Sequence, residues 1–496
     1  MIVTAGGNRQ LLQYMARLLS LSAAVFLCMY FLAPERVGIA PLLLVSPIIA
    51  SICYKFFRRD FAVEIDLFAP ASFYGGFYLL YYVLPFLFSV FGENPIDNET
   101  FIALMLFLGY FSFLLGARLI GRIAGAGENG PILAPQQRYA LLITGLLAMT
   151  AVFVFNALRV KNGIFFNQAM FYEQATSVSA SFMDVFVQQL QLPLVLIFGL
   201  VSGGGGNGVS RGWMRVLWWG YSAMAFLLFL FSSQTRPAIT VIIFALVARD
   251  MYRPVRVKFS MLLLFTAFSV FSLVAIQGLR IIDVQEFMTA DNQLVYAAKN
   301  LIPTVVKTFT GHLSEVGDRV SDRSEGGIQF LSKIVSATDR EGSFLWGKDI
   351  LVSMFSVIPR FLWKDKPAVT APQLVIQDAL GLPQYDASVS PIVQFYVEGG
   401  WPMVVAGYIL FGLLLSGLSG YVYRSRSVAP WLIFFCIWGY ISIVENELVL
   451  GLMGTLKNAI SLFMVYCAVY SVLSLLSAIK AKANKVVTRE VSGIWL

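Results

Sequence analysis

Long apolar runs recur along almost the whole chain, each about as long as a bilayer is thick. They fall at about 11–33, 37–54, 67–91, 101–120, 139–158, 182–201, 213–232, 237–248, 259–279, 394–418, 428–444 and 456–479. A helical span needs about 20 predominantly apolar residues, so the pattern predicts about 12 transmembrane helices. Composition closes off the alternatives. Hydrophobic residues make up 58% of the chain and charged residues 13%, against about 45–50% and 25% in soluble domains. So little polar material cannot clothe soluble cores of this size. A soluble enzyme, a disordered chain and a disulfide-stapled secreted module are excluded. The expected fold is all-α and polytopic. The first run has Arg9 just ahead of it and Arg17 near its start, and it lacks a small-residue cleavage site, so it reads as a retained span.

Charge sets the expected orientation. With a cytoplasmic N-terminus, 20 of the 36 basic residues fall in cytoplasmic segments, among them Arg58, Arg59, Arg253, Arg256, Lys258, Lys480 and Lys482. The short opposite loops hold only Arg36, Arg159, Lys161, Arg236 and Lys457. That asymmetry predicts two cytoplasmic termini. The basic excess marks topology, not nucleic-acid binding. The chain then divides into spans one to nine (1–279), one large outward loop (280–393), spans ten to twelve (394–479) and a basic cytoplasmic tail (480–496).

The outward loop carries 11 basic and 13 acidic residues and is too long to lack structure of its own. Leu294, Ala298, Leu301, Ile302, Val305, Val306, Phe309 and Leu313 recur at helical spacing, which predicts an amphipathic helix. Ile328, Leu331, Ile334 and Val335 predict a second. Phe344 to Trp363 is apolar but interrupted by Lys348, Asp349, Pro359 and Arg360, a mixture expected of a re-entrant or interfacial segment. Gln373–Leu380 reads as a short helix stopped by Gly381.

Several chemistries lack their residues. His312 is the only histidine, and Cys28, Cys53, Cys436 and Cys467 lie in or beside apolar runs without CxxC spacing. They read as small apolar fillers, and no metal is expected. No phosphate-binding GxxxxGK, zinc HExxH or dinucleotide GxGxxG is present, and no cofactor is expected.

Ionisable residues at membrane depth are costly and are functional candidates by default. They are Arg236, which ends the polar stretch 232–237, Arg280 at the outer end of span nine, Glu398 a turn into span ten, and Glu445 and Glu447 after span eleven. Each has a plainer reading: arginines snorkel to the interface, Glu398 serves as a structural partner, and Glu445, Glu447 and His312 are solvated. Together, several arginines converge on the outer face near an amphipathic cap. Guanidinium forks suit phosphate oxygens, and a lipid-borne diphosphate in the outer leaflet is a natural ligand.

The stretch Val357-Ile-Pro-Arg-Phe-Leu-Trp-Lys-Asp-Lys-Pro367 resembles the proline-arginine-tryptophan motif of the Wzy-type O-antigen and oligosaccharide repeat-unit polymerases. Arg323 with Gly326-Gly327, Trp346-Gly347, Ser390-Pro391 and Tyr396-Val-Glu-Gly-Gly-Trp-Pro402 are similar to flanking features of that family, and Ser233-Gln-Thr-Arg236 to its serine-arginine step. Gln394 stands where many members carry an acid, and the repeated arginine–glycine pattern of some members is absent. The detailed resemblance covers residues 310–415.

The resemblance implies a GT-C-like glycosyltransferase of the bacterial inner membrane, with its large loop periplasmic. It would polymerise undecaprenyl-pyrophosphate-linked repeat units into O-antigen or a related polysaccharide, with a chain-length regulator and a flippase as partners. Arg280, Arg323 and Arg360, backed by Arg236, would clamp the pyrophosphate. His312 is the first choice for a general base and Glu398 the second. Lys366 would contact phosphate or sugar, and Trp346, Trp363 and Tyr396 would stack on sugar faces. Two alternatives stay open: an O-antigen ligase that transfers glycan from the same donor to lipid A core, and a lipid-linked oligosaccharide transporter.

Overall fold

A computed structural model describes residues 5–32, 37–56, 62–64, 70–91, 96–119, 134–161, 178–203, 210–231, 235–250, 256–258, 327–340, 344–355, 372–382, 389–424, 428–441 and 448–493, with single positions within 295–310 and at 342, 358 and 363. In chain order the helices are α1 (Ala5–Leu32), α2 (Ile39–Phe56), α3 (Pro70–Tyr78), α4 (Leu84–Phe91), α5 (Glu99–Leu119), α6 (Pro135–Lys161), α7 (Val178–Gly203), α8 (Ser210–Phe231) and α9 (Thr235–Asp250). After them come α10 (residues 327–340), α11 (Lys348–Phe355), α12 (Pro372–Ala379), α13 (Pro391–Arg424), α14 (Val428–Ile441) and α15 (Leu448–Gly493). Among the described residues one two-stranded antiparallel ribbon, β1 (Ala62–Glu64) with β2 (Arg256–Lys258), accompanies the helices.

The chain is an all-helical membrane protein in its bulk. Among the described residues six helices are long and apolar enough to cross a membrane: Met15–Leu32, Tyr74–Phe91, Glu99–Leu119, Pro135–Ala157, Pro391–Val422 and Gly451–Ala481. Shorter apolar helices cover Ile39–Tyr54, Leu190–Ser202 and Val428–Ile437. Helices thus occupy every apolar run of the sequence except the ninth, 259–279, which lies outside the described residues. The last helix runs on through Gly493, well beyond the apolar run that ends near 479.

The chain forms two compact units. The first contains Met1–Gly125, Arg253–Tyr421 and Tyr440–Gly454; the second contains Ala126–Tyr252, Val422–Gly439 and Thr455–Leu496.

In the first unit α1 packs on α2, and α2 on α5. The line from α3 to α4 passes through a π-helical turn, Leu79–Val83. Pro85 follows that turn and cannot donate to the carbonyl of Tyr81, the usual reason a helix widens. The turn carries Tyr82 into a buried tyrosine cluster with Tyr74, Tyr78, Tyr110 and Tyr408. Their hydroxyls find partners: Tyr78 donates to Leu106 O at 2.8 Å, Tyr110 to Ser51 at 3.3 Å, and Tyr74 to Tyr408 at 3.4 Å. Tyr82 bonds Ser390 and Tyr408. Helices α5 and α13 meet backbone to backbone. A Cβ on Gly116 would lie 2.1 Å from Ile409 O, and one on Gly412 2.3 Å from Phe113 O. Small residues at such crossings are how membrane helices gain close packing without a hydrophobic drive.

The second unit is built around α7, which packs on α6, α8 and α9. Every residue of Leu190–Ser202 is buried, as expected of a helix that is apolar all round. Gly199 admits Ala248, whose Cβ would stand 2.3 Å from an added Cβ. Arg138 donates Nε–H to Val201 O at 2.7 Å, a cation on the negative end of the helix.

Candidate functional site

The site grows from a break in α13. The sequence Glu398-Gly399-Gly400-Trp401-Pro402 sits inside a helix of 34 residues, yet Gly399 and Gly400 leave helical geometry, Gly400 at φ +68°. Two features cause this. Pro402 has no N–H for the carbonyl of Glu398, and glycine alone takes left-handed geometry without strain. Helix α13 is therefore a short piece, 391–398, followed by a long one. The apolar run 394–418 predicts one continuous span through this point.

The break frees backbone carbonyls, and a buried carbonyl must find a donor. Leu345 N–H donates to Val397 O and Trp346 N–H to Glu398 O, both at 3.0 Å. The segment before α11 thus takes the place of the missing helical turn. Glu398 completes the junction with its side chain. Oε1 accepts from Ile350 N–H at 3.0 Å and Oε2 accepts from Gly347 N–H. These are orphan donors at the start of α11, so Glu398 caps a helix 48 residues upstream in sequence. Only 2% of Glu398 is exposed.

Asp349 lies in the same first turn of α11 and is 4% exposed. Its Oδ2 accepts from Gln394 Nε2 at 2.9 Å. Burial pushes its carboxyl above the usual range, and the Gln394 bond pulls it partly back. Ser353, one turn further along the same buried face, has an unpartnered hydroxyl. Phe344 rests against Gly400, where an added Cβ would stand 3.2 Å from its ring. Phe344 also meets Tyr396 edge-on at 6.3 Å, and Tyr396 meets Phe101 at 5.9 Å.

Helix α10 joins the same end of the first unit. Ile328, Leu331, Ile334 and Val335 are buried as their spacing predicts. Ser332 donates to Asp97 O at 2.9 Å, and Asn98 donates to Ser336 at 3.2 Å. The starts of α5 and α13, helix α10 and the turn 344–350 therefore belong to one junction. Helix α12 ends as expected: Gly381 at φ +59°, with Leu382 N–H donating to Gln377 O at 2.8 Å, closes it as a Schellman cap. The described positions of the amphipathic segment 294–313 are helical, and Val295, Ile302 and Val306 are exposed.

Of the sequence-predicted site residues, the structure brings together Glu398 and Tyr396. Trp363 is half-buried and meets Phe355 edge-on at 5.8 Å. Arg236 lies in the first turn of α9, with its side chain outside what the structure describes. His312, Arg280, Arg323, Arg360 and Lys366 lie outside the described residues. The role expected second for Glu398, as a general base, sits poorly with both of its oxygens accepting backbone N–H groups. The sequence reading lacks the pairing of Asp349 with Gln394 and the break at Gly399–Gly400. The Gly-Gly-x-Pro string was the available signal, since such residues punctuate helices. No family model, curated protein or solved structure matches the chain.

Proposed function

We propose that the chain is a membrane glycosyltransferase that polymerises undecaprenyl-pyrophosphate-linked oligosaccharide repeat units on the periplasmic face of a bacterial inner membrane. The observation that carries this reading is the docked turn: residues 344–350, just ahead of the motif at Pro359–Trp363, are fastened to a break in a long apolar helix. Non-helical backbone at a membrane helix is tolerated where it lines a protein-enclosed site, and broken helices mark substrate sites in other membrane folds. The turn lies directly ahead of the motif segment in sequence, and a lipid-linked donor presents its pyrophosphate at the bilayer surface.

Two pairings support the expected orientation. Ribbon β1–β2 joins segments that positive charge assigns to the cytoplasm. The contacts of Asp97 and Asn98 with α10 join segments assigned to the outside. The candidate span Tyr74–Phe91 separates β1 from Asp97 in sequence.

In the reaction, a hydroxyl of the acceptor glycan attacks the donor's anomeric carbon. The bond from that carbon to pyrophosphate oxygen breaks, and the lipid pyrophosphate leaves with the electron pair. The hydroxyl proton passes to a base, for which His312 is the imidazole in the chain. Arg280, Arg323 and Arg360 would stabilise charge as it develops on the leaving group, and Lys366 would contact the phosphate or sugar. Glu398 is a positioning residue that fixes the turn.

The test is an immunoblot of surface polysaccharide from a deletion strain carrying Arg360→Ala or Arg280→Ala. Loss of long chains, with single repeat units still attached and the protein still inserted, supports the polymerase. Loss of all attached glycan points to the ligase. Normal chain lengths from both variants overturn the clamp.

A further inference from the structure

We infer that Trp346 and the outer face of helix α11 form a docking track for an isoprenoid-pyrophosphate-linked sugar, with the sugar on Trp346, the pyrophosphate on Lys348 and the isoprenoid on Leu351, Met354 and Phe355. This deepens the proposed function and rests on it. The buried face of α11, Asp349 and Ser353, is turned to the junction with α13. The opposite face is largely open: Leu351 is 54% exposed, and Met354 and Phe355 are 48% exposed. Lys348 is exposed as well. Lys348, Leu351 and Phe355 follow one line at i, i+3 and i+7, about 10 Å long at 1.5 Å per residue. Trp363 bounds the far end through its edge contact with Phe355.

The order along that line is aromatic, cationic, apolar, which is the chemical order of a sugar, a pyrophosphate and an isoprenoid chain. Trp346 strengthens the match. It is 78% exposed and sits at φ +52°, a backbone region that a bulky residue enters only under strain. Its amide is fixed to Glu398 O, its neighbour Gly347 is fixed to the Glu398 carboxylate, and Phe344 meets the indole edge-on at 5.8 Å. An indole that merely anchors in lipid needs no such placement. An indole that must lie flat on a sugar face does.

The test uses the full chain in phosphatidylcholine nanodiscs, with a benzophenone amino acid in place of Met354. The probe is tritiated undecaprenyl pyrophosphate bearing one disaccharide. Light-driven labelling that unlabelled probe competes away, and a hundredfold excess of phosphatidylglycerol does not, supports the track. Equal competition by phosphatidylglycerol means that the face meets bulk lipid only and overturns it, as does absence of labelling. Trp346→Gly and Lys348→Ala should each weaken probe binding about tenfold, and unchanged binding in both also overturns the track. Transfer by the unmodified protein is read separately. Competed labelling without transfer sinks the polymerase and leaves the track; transfer intact in both variants sinks the track and leaves the polymerase.

Discussion

Replacing Glu398 by alanine should detach the turn 344–350 from α13 without unfolding the protein. The carboxylate accepts from Gly347 and Ile350 at the start of α11. Its removal strands two backbone donors at a part-buried site. Each unmade buried hydrogen bond costs about 1–3 kcal/mol, and loss of a helix N-cap alone costs about 0.5–2 kcal/mol. About 3 kcal/mol of local stability is therefore at stake. Every 1.36 kcal/mol is about a tenfold change in an equilibrium, so the turn should open on the order of a hundred times more often. Backbone hydrogen exchange reads this directly, because local openings govern amide protection. In nanodiscs, amides of 345–351 should lose about a hundredfold in protection, while those of Leu190–Ser202 in the other unit stay unchanged. Glu398→Gln keeps one acceptor oxygen and should fall between. Unchanged protection in Glu398→Ala would refute the capping assignment, and uniform loss across both units would mean that Glu398 supports the whole fold.

Four further outcomes follow from particular contacts. Gly116→Ala places a Cβ against Ile409 O, so α5 and α13 must part; the melting temperature in detergent should drop by several degrees, whereas Gly212→Ala, with open space around it, should not shift it. Trp346→Gly releases a left-handed backbone that costs about 1–2 kcal/mol for an L-residue; thermal stability should hold or rise while glycan binding falls. Asp349 has its folded carboxyl raised above the ordinary 3.8, so the folded state holds its proton more tightly. Its contribution is present at low pH and is lost as pH climbs from about 3.8 through the raised folded value. Asp349→Asn should flatten that part of the stability–pH curve. Arg138→Ala removes the cation on Val201 O and should lower stability by up to about 2 kcal/mol, read as faster exchange in the last turn of α7.

The helices were legible because hydropathy at bilayer length overrides every local signal. Pro47 and Pro193 lie inside helices that their apolar runs correctly announced. The same averaging hid the break at Gly399–Gly400, where Pro402 and two glycines sit inside an apolar run and leave its mean hydropathy high. Helix α10 and the Gly381 cap were readable because their spacing and punctuation are local. The role of Glu398 was not. A carboxylate near a membrane span reads as chemistry until its partners are known, and these are backbone N–H groups 48 and 51 positions away. In sequence Asp349 reads only as a charge that lipid rejects; its pairing with Gln394 depends on where the broken helix lands. Tyr74, Tyr78, Tyr82, Tyr110 and Tyr408 come from three separate stretches, and nothing in any one of them announces a shared cluster.

The central claim is that the chain joins lipid-linked glycans, and purified protein can decide it. Full-length protein in liposomes is supplied with a synthetic undecaprenyl-pyrophosphate-linked repeat unit, with and without chelator, and the products are resolved by size. The account predicts a ladder of glycans in whole repeat units, unaffected by chelator, with undecaprenyl pyrophosphate released for each bond formed. A repeat unit that stays single, or that crosses the bilayer unchanged, would contradict it.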